Sequence, residues 1–175
     1  MSEKARKLLV VGLGNPGAEY AKTRHNAGWI AVDALASETL APADTDWKKE
    51  KDFSVAKTDD VIFIKPSTFM NLSGVAVSAA MTKYKIPLEN VIVIHDDIDL
   101  KVGDLRIKTG GGNAGHNGLK SIDAAVGCEY RRARIGVGRP ENKEFEIADW
   151  VVSRFSDAEL ETISALFPKI SETIS

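Results

Sequence analysis

Leu8-Leu9-Val10-Val11-Gly12-Leu13-Gly14-Asn15-Pro16-Gly17 is the stretch on which the fold turns. An apolar run closing in glycines at G-x-G-x-x-G spacing opens a dinucleotide-binding unit only when its turn leads straight into a helix. Here Pro16 interrupts the turn, and a polar stretch over 20–26 delays the helix. Asp33, near the distance expected of a ribose-binding acid, lies in Gly28-Trp29-Ile30-Ala31-Val32-Asp33-Ala34-Leu35, which has a helical pattern. The stretch therefore reads as a strand whose end presents Asn15, Tyr20 and His25. A Rossmann-like NAD(P)-binding protein stays as an alternative.

Working outward, the apolar runs Val61-Ile62-Phe63-Ile64 and Val91-Ile92-Val93-Ile94 are those of strands covered on both faces. Strands are predicted over 7–13, 53–57, 61–65, 91–95, 105–109 and 133–137. Helices are predicted over 27–40, 73–85, 117–126 and 157–172, the last opened by Ser156-Asp157-Ala158-Glu159 and kinked or divided by Pro168. Strands 53–57 and 61–65, joined by Thr58-Asp59-Asp60, form a hairpin. The fold class is α/β: a single globular domain over 1–175 with a twisted, mixed, mostly parallel sheet and helices on both faces.

The 175 residues suffice for a real core, and 43% hydrophobic with 27% charged is a soluble globular composition. No apolar run reaches the ~20 residues of a bilayer span. The basic start, Met1 to Lys7, precedes an apolar run too short for a signal peptide. A single cysteine, Cys128, forbids an internal disulfide and suits a reducing cytoplasm. Cys128 reads as structural rather than nucleophilic, since its neighbours do not lower its pKa. The net charge of −2 hides an asymmetry: residues 101–143 carry nine positive and four negative groups, leaving −7 on the rest. That is either a polyanion footprint or a mixed-charge surface.

Candidate site residues, most of them polar, recur just past strand ends, where open α/β sheets bind ligands. They are Asn15, then Met70 and Asn71, then Asp96, then Lys108 with the loop Gly110-Gly111-Gly112-Asn113-Ala114-Gly115. His25, His95 and His116 all sit beside polar or small neighbours. No Ser lies in a G-x-S-x-G elbow. A His–Asp pair without a side-chain nucleophile acts on water, and Asn amides can hold that water or polarise a carbonyl. The same residues offer a competing Zn or Mn site, but no H-x-x-x-H or H-E-x-x-H spacing occurs, and Asp97 with Asp99 reads as a turn. The glycine loop suits either a phosphate cradle or a lid. Lys108 and Arg134 suit a phosphate clamp or an ordinary surface.

Together these residues resemble the bacterial peptidyl-tRNA hydrolase family. The matching segments run in order: 11–17 with Tyr20 and 23–28, then 65–74, 95–100, 115–120 and 134–140. The resemblance implies hydrolysis of the ester between peptide and tRNA, recycling tRNA from peptidyl-tRNA released early. It implies that His25 is the general base, Asp96 its partner, and Asn15 a catalytic amide. Tyr20, Met70, Asn71, His116 and Asn117 would bind substrate, with His116 in a mobile loop. Lys108 and Arg134 would clamp the tRNA 5′ phosphate. No metal, no other cofactor, no membrane and no stable protein partner are implied; the expected protein is a cytoplasmic monomer. Family members commonly continue through a further C-terminal helical segment. A tRNA-binding module without catalysis is the other alternative.

Overall fold

The computed structural model describes residues 7–40 and 46–174, so the basic stretch at 1–6 lies outside the described residues. The first strand, β1 (Leu8–Gly12), is followed by two 3-10 turns (Ala18–Tyr20 and Arg24–Asn26) before α1 (Ala27–Thr39). That insertion is where the chain departs from a nucleotide-binding unit: the turn after β1 leads into 3-10 turns and not straight into a helix. The glycines of the motif have another use. A Cβ on Gly12 would lie 2.3 Å from the Gly28 carbonyl, and one on Gly28 would lie 2.2 Å from the Ile94 carbonyl. They let α1 press its first turn directly against β1 and its neighbour.

After α1 come β2 (Lys48–Lys49), β3 (Phe53–Lys57), β4 (Val61–Pro66) and α2 (Ser73–Tyr84). Then come β5 (Val91–Asp97), β6 (Leu105–Thr109), α3 (Asn117–Val126) and β7 (Arg131–Gly136). The chain continues through α4 (Ile147–Val151), α5 (Asp157–Ser164) and α6 (Phe167–Ile174). The sheet order is β2-β3-β4-β1-β5-β7-β6. β4, β1, β5 and β7 run parallel at the centre, while β2, β3 and β6 join antiparallel at the flanks.

Alternation along the central strands builds two cores. Val10, Phe63, Ile92, Ile94 and Ile135 face α1, α5 and α6. Leu9, Val11, Ile62, Ile64, Val91 and Val93 face α2 and α3. Each strand is buried on both sides, which is why these runs are apolar without interruption. The expected helix over 157–172 is two helices. It breaks at Ala165-Leu166, and Pro168 falls in the first turn of the second piece, where its missing N–H is not needed. The Ser156–Glu159 capping box forms as expected. β5 runs on through Asp96 and Asp97, so both carboxylates belong to the strand itself. β7 starts at Arg131, two residues earlier than its apolar pattern suggests. No helix among the described residues is long and apolar enough to cross a membrane.

Candidate active site

The site lies at the carboxyl ends of β1, β5 and β7, and one carboxylate organises it. Asp96, at the buried end of β5, receives a hydrogen bond from each of two histidines. His25 Nδ1 lies 2.8 Å from Oδ2, and His116 Nε2 lies 2.8 Å from Oδ1. The hydrogen-bond network assigns the tautomers. His116 is the N-cap of α3, and its Nδ1 accepts from the backbone N–H of Gly118 and Leu119 at 3.1 and 3.3 Å. Its proton therefore sits on Nε2 and points at Asp96. His25 donates through Nδ1–H, which leaves Nε2 as its remaining acceptor.

Burial by itself would hold the His25 pKa down, but the charge and hydrogen bond of Asp96 outweigh it, and the net shift is upward. Burial likewise opposes ionisation of Asp96, yet the two histidines facing it keep its carboxyl well below the usual range. Asp96 is therefore an anion throughout the histidine range.

His95 is 3% exposed, and its Nδ1 donates to the Asp96 carbonyl at 2.7 Å. Its Nε2 is buried with no hydrogen-bond partner among the described residues. Burial and the neighbouring His116 lower its pKa to about 4. The sign for stability follows: His95 stays neutral when folded, while the unfolded chain takes up a proton below 6.5. Folding stability should fall as pH drops from 6.5 to about 4, by on the order of 3 kcal/mol. Urea unfolding across that window, compared with His95→Gln, checks this; equal slopes in the two proteins would refute it.

Asn15 and Asn26 join the loop after β1 to the turn carrying His25. Asn15 N–H donates to Asn26 Oδ1 at 2.9 Å, and Asn26 Nδ2 returns to the Asn15 carbonyl at 3.0 Å. Asn15 Oδ1 accepts from Met70 N–H at 2.8 Å, which leaves its Nδ2 donor end unspent. Met70 is buried at the start of a 3-10 turn (Met70–Leu72), while Asn71 beside it is exposed. Tyr20 is half-buried in the turn Ala18–Tyr20, where its carbonyl accepts from Thr23. Asn117 is exposed at the first position of α3.

Beside this group opens a cleft of about 250 Å³ lined by His25, His95, Asp96, His116 and Asn117, together with Lys108, Arg132 and Arg134. Ile147, Ala148 and Val151 of α4 form part of its wall. Asn15, Tyr20, Met70 and Asn71 do not line it. Across the β6–β7 ladder Lys108 pairs with Arg132, and Arg106 with Arg134, so all four side chains belong to one face of the sheet. The cations differ in use. Arg132 is buried and donates to the Gly112 and Gly111 carbonyls at 2.7 and 3.1 Å, pinning the glycine loop. Arg134 is half-buried and its Nε donates to Asp97 Oδ2 at 2.8 Å. Lys108 is exposed. Asp97 also caps a short turn through the Asp99 N–H at 2.8 Å. Cys128 is half-buried and lies off the cleft lining.

The sequence alone did not mark Asn26, Arg132, Arg24 or the α4 wall. Arg132 stands in a run of cations with Arg131 and Arg134, Arg24 is one arginine in the polar stretch over 20–26, and α4 lacks a buried residue to give it a pattern. The His116–Asp96 bond is not visible in the sequence either, because it joins the end of β5 to the cap of α3, 20 residues further along the chain. One atom from each of His25, Asp96 and His116 lies within 4.8 Å of the others, a spacing that suits a metal ion. In this arrangement both nitrogens facing Asp96 carry protons, so a metal would have to displace them.

An open α/β sheet covered on both faces, with a histidine–carboxylate pair and a cationic cleft beyond its strand ends, defines an α/β protein with a ligand site at its strand ends. Comparison with known proteins narrows this. Residues 9–175 match the family described as Peptidyl-tRNA hydrolase. Peptidyl-tRNA hydrolase of Rickettsia bellii is 47% identical over 174 residues, spanning 96% of this chain and 91% of the relative. That of Rickettsia africae is 49% identical over 168 residues, spanning 94% and 89%. The crystal structure of peptidyl-tRNA hydrolase from Acinetobacter baumannii superposes with a TM-score of 0.83 at 33% identity, covering 99% of this chain and 89% of that one. The chain belongs to the peptidyl-tRNA hydrolase family, a family of enzymes.

Proposed function

We propose that this protein hydrolyses the ester between the peptide and the 3′-terminal ribose of peptidyl-tRNA, with water activated by His25. The observation that carries this is the His25 Nδ1–Asp96 Oδ2 bond of 2.8 Å at the mouth of a cationic cleft. It fixes the ring with its free lone pair on Nε2. That nitrogen takes a proton from water as the oxygen attacks the ester carbonyl carbon. The imidazolium formed is stabilised by the Asp96 anion. Collapse of the tetrahedral intermediate breaks the bond to the ribose 3′ oxygen, which takes the proton back from Nε2. Peptide acid and free tRNA result, with no net change in the enzyme. Asn15 Nδ2, oriented by the bond from Met70 to its oxygen, holds the water or the developing oxyanion. Asn117 and His116 face the acceptor end. Exposed Phe69, Leu72 and Val75, beside Met70 and Asn71, offer an apolar face to peptide side chains, and Tyr20 contributes to the same peptide site.

Lys108 and Arg134 receive the 5′ phosphate in this reading. Lys108 is the cleaner test, because removing Arg134 also strips Asp97 of its partner. Lys108→Ala is expected to raise KM for full-length N-blocked aminoacyl-tRNA while sparing short 3′-end mimics. It should also reduce the salt dependence of binding by roughly one phosphate contact. Equal losses on both substrates would argue against a phosphate role. The function itself is tested by release of peptide from N-blocked aminoacyl-tRNA in EDTA. Binding without cleavage would favour the non-catalytic module, and chelator-sensitive cleavage would favour a metal at His25, Asp96 and His116.

A further inference from the structure

We propose that Arg24 is a positioning residue for the reaction: its guanidinium ties the turn that carries His25 to residues 150–159 and so fixes where the imidazole meets Asp96. The inference rests on His25 being the base. Arg24 precedes His25 in the 3-10 turn and is 6% exposed. Its Nη1 donates to Ser153 Oγ at 2.6 Å and to the Arg154 carbonyl at 2.8 Å. Its Nη2 reaches both Glu159 carboxylate oxygens, at 2.9 and 3.2 Å. The guanidinium carbon lies 3.6 Å from the centre of the Trp150 ring.

Each partner is itself held. Glu159 accepts from Ser156 N–H in the capping box of α5, and Trp150 Nε1 donates to the Gly138 carbonyl at 2.8 Å. The backbones are joined as well: Arg24 N–H donates to the Ser153 carbonyl at 3.1 Å, and Thr23 bridges to Arg154. A planar fork serves hydroxyl, carbonyl, carboxylate and ring face together, whereas a lysine ammonium is a single point charge. α4, which carries Trp150, also lines the cleft through Ile147, Ala148 and Val151. One side chain thus sets the base against both its carboxylate and the far wall.

A purely structural strut would affect melting and nothing else. Positioning makes a different demand. The groups facing His25 are Asp96 from β5 and His116 from the cap of α3, with His95 behind His116 and Arg24 on its own turn. Burial holds the His25 pKa down and Asp96 raises it. Arg24→Lys keeps the charge, so a changed titration reports geometry. If the turn drifts from Asp96, the upward pull weakens and burial does not.

The test compares wild type, Arg24→Lys, Ser153→Ala and His25→Ala as full chains. It reads kcat and KM on N-blocked aminoacyl-tRNA across the histidine pH range, and follows the His25 Cε1–H by NMR titration. Arg24→Lys should lower kcat about ten-fold or more, as displaced catalytic groups do. Its acid limb and NMR midpoint should both move to lower pH. Ser153→Ala, which changes no charge, should move the midpoint the same way by less. Wild-type kcat and midpoint in folded Arg24→Lys would overturn the proposal, whatever its melting temperature. If Arg24→Lys does not fold, Ser153→Ala decides, and an unmoved midpoint there overturns it. Full turnover by His25→Ala would remove the base reading, and the role of Arg24 with it, on a separate variant.

Discussion

Replacing His25 with alanine should leave a folded protein whose turnover of N-blocked aminoacyl-tRNA is about 10²- to 10⁴-fold lower, the usual worth of a general base. His25 belongs to neither apolar core, and Asp96 keeps its bond from His116 when the ring is gone. Folding should therefore survive while the chemistry fails. Single-turnover rates beside a melting curve separate the two. The pH profile adds a second signature. A base must be neutral, and the His25 pKa lies above the ordinary 6.5 because Asp96 outweighs burial. Wild-type kcat/KM should decline as pH falls through that raised value, and the limb should vanish from the residual activity of the variant. The paired stability effect has the opposite sense. The raised pKa stabilises the folded state below 6.5, and that contribution is lost as pH rises through the raised value. Near-normal turnover by His25→Ala would dismiss it as the base.

Asp96→Asn should be at least as damaging, for a reason that lies in the second histidine. The carboxylate accepts two N–H bonds, one at each oxygen. A carboxamide accepts at one end and donates at the other. His116 cannot adapt, because the α3 cap consumes its Nδ1 lone pair and keeps the proton on Nε2. The asparagine oxygen must face His116, so its NH₂ faces His25. That turns His25 to the tautomer with the proton on Nε2, where the base should have its lone pair. A rate loss of about 10³- to 10⁴-fold is expected, as for the corresponding change in a Ser-His-Asp triad, and the acid limb should move down in pH as the carboxylate charge disappears. Retained activity with an unshifted limb would refute this tautomer assignment.

How far the sequence exposed all this depended on whether a feature was local. β3, β6 and α3 have the ends that residue pattern suggests, because apolar alternation and turn residues bound them on both sides. The beginning of β7 was missed because Arg131 and Arg132 hide a strand behind two charges. Arg132 is buried only because loop carbonyls and Asp123 receive it, and those arrive from elsewhere in the chain. β2 is two exposed lysines, and its strand character comes wholly from pairing with β3. His25 and Asp96 lie within hydrogen-bonding distance of each other, but neither periodicity nor spacing reveals that Asp96 is shared. The division of cations into a loop anchor, a paired arginine and an exposed lysine is likewise a property of the assembled ladder.

That shared carboxylate has a consequence for the protein's own synthesis. His25 is made 71 residues before Asp96, and His116 follows 20 residues later. β1, the first strand made, can pair with β4 long before β5 arrives on its other edge. A nascent chain therefore carries the base without its partner until β5 has been made. Contacts of such sequence separation form late. Hydrolytic activity should consequently switch on as one of the final events of folding, which makes turnover a stricter gauge of complete assembly than any measure of helix or sheet content.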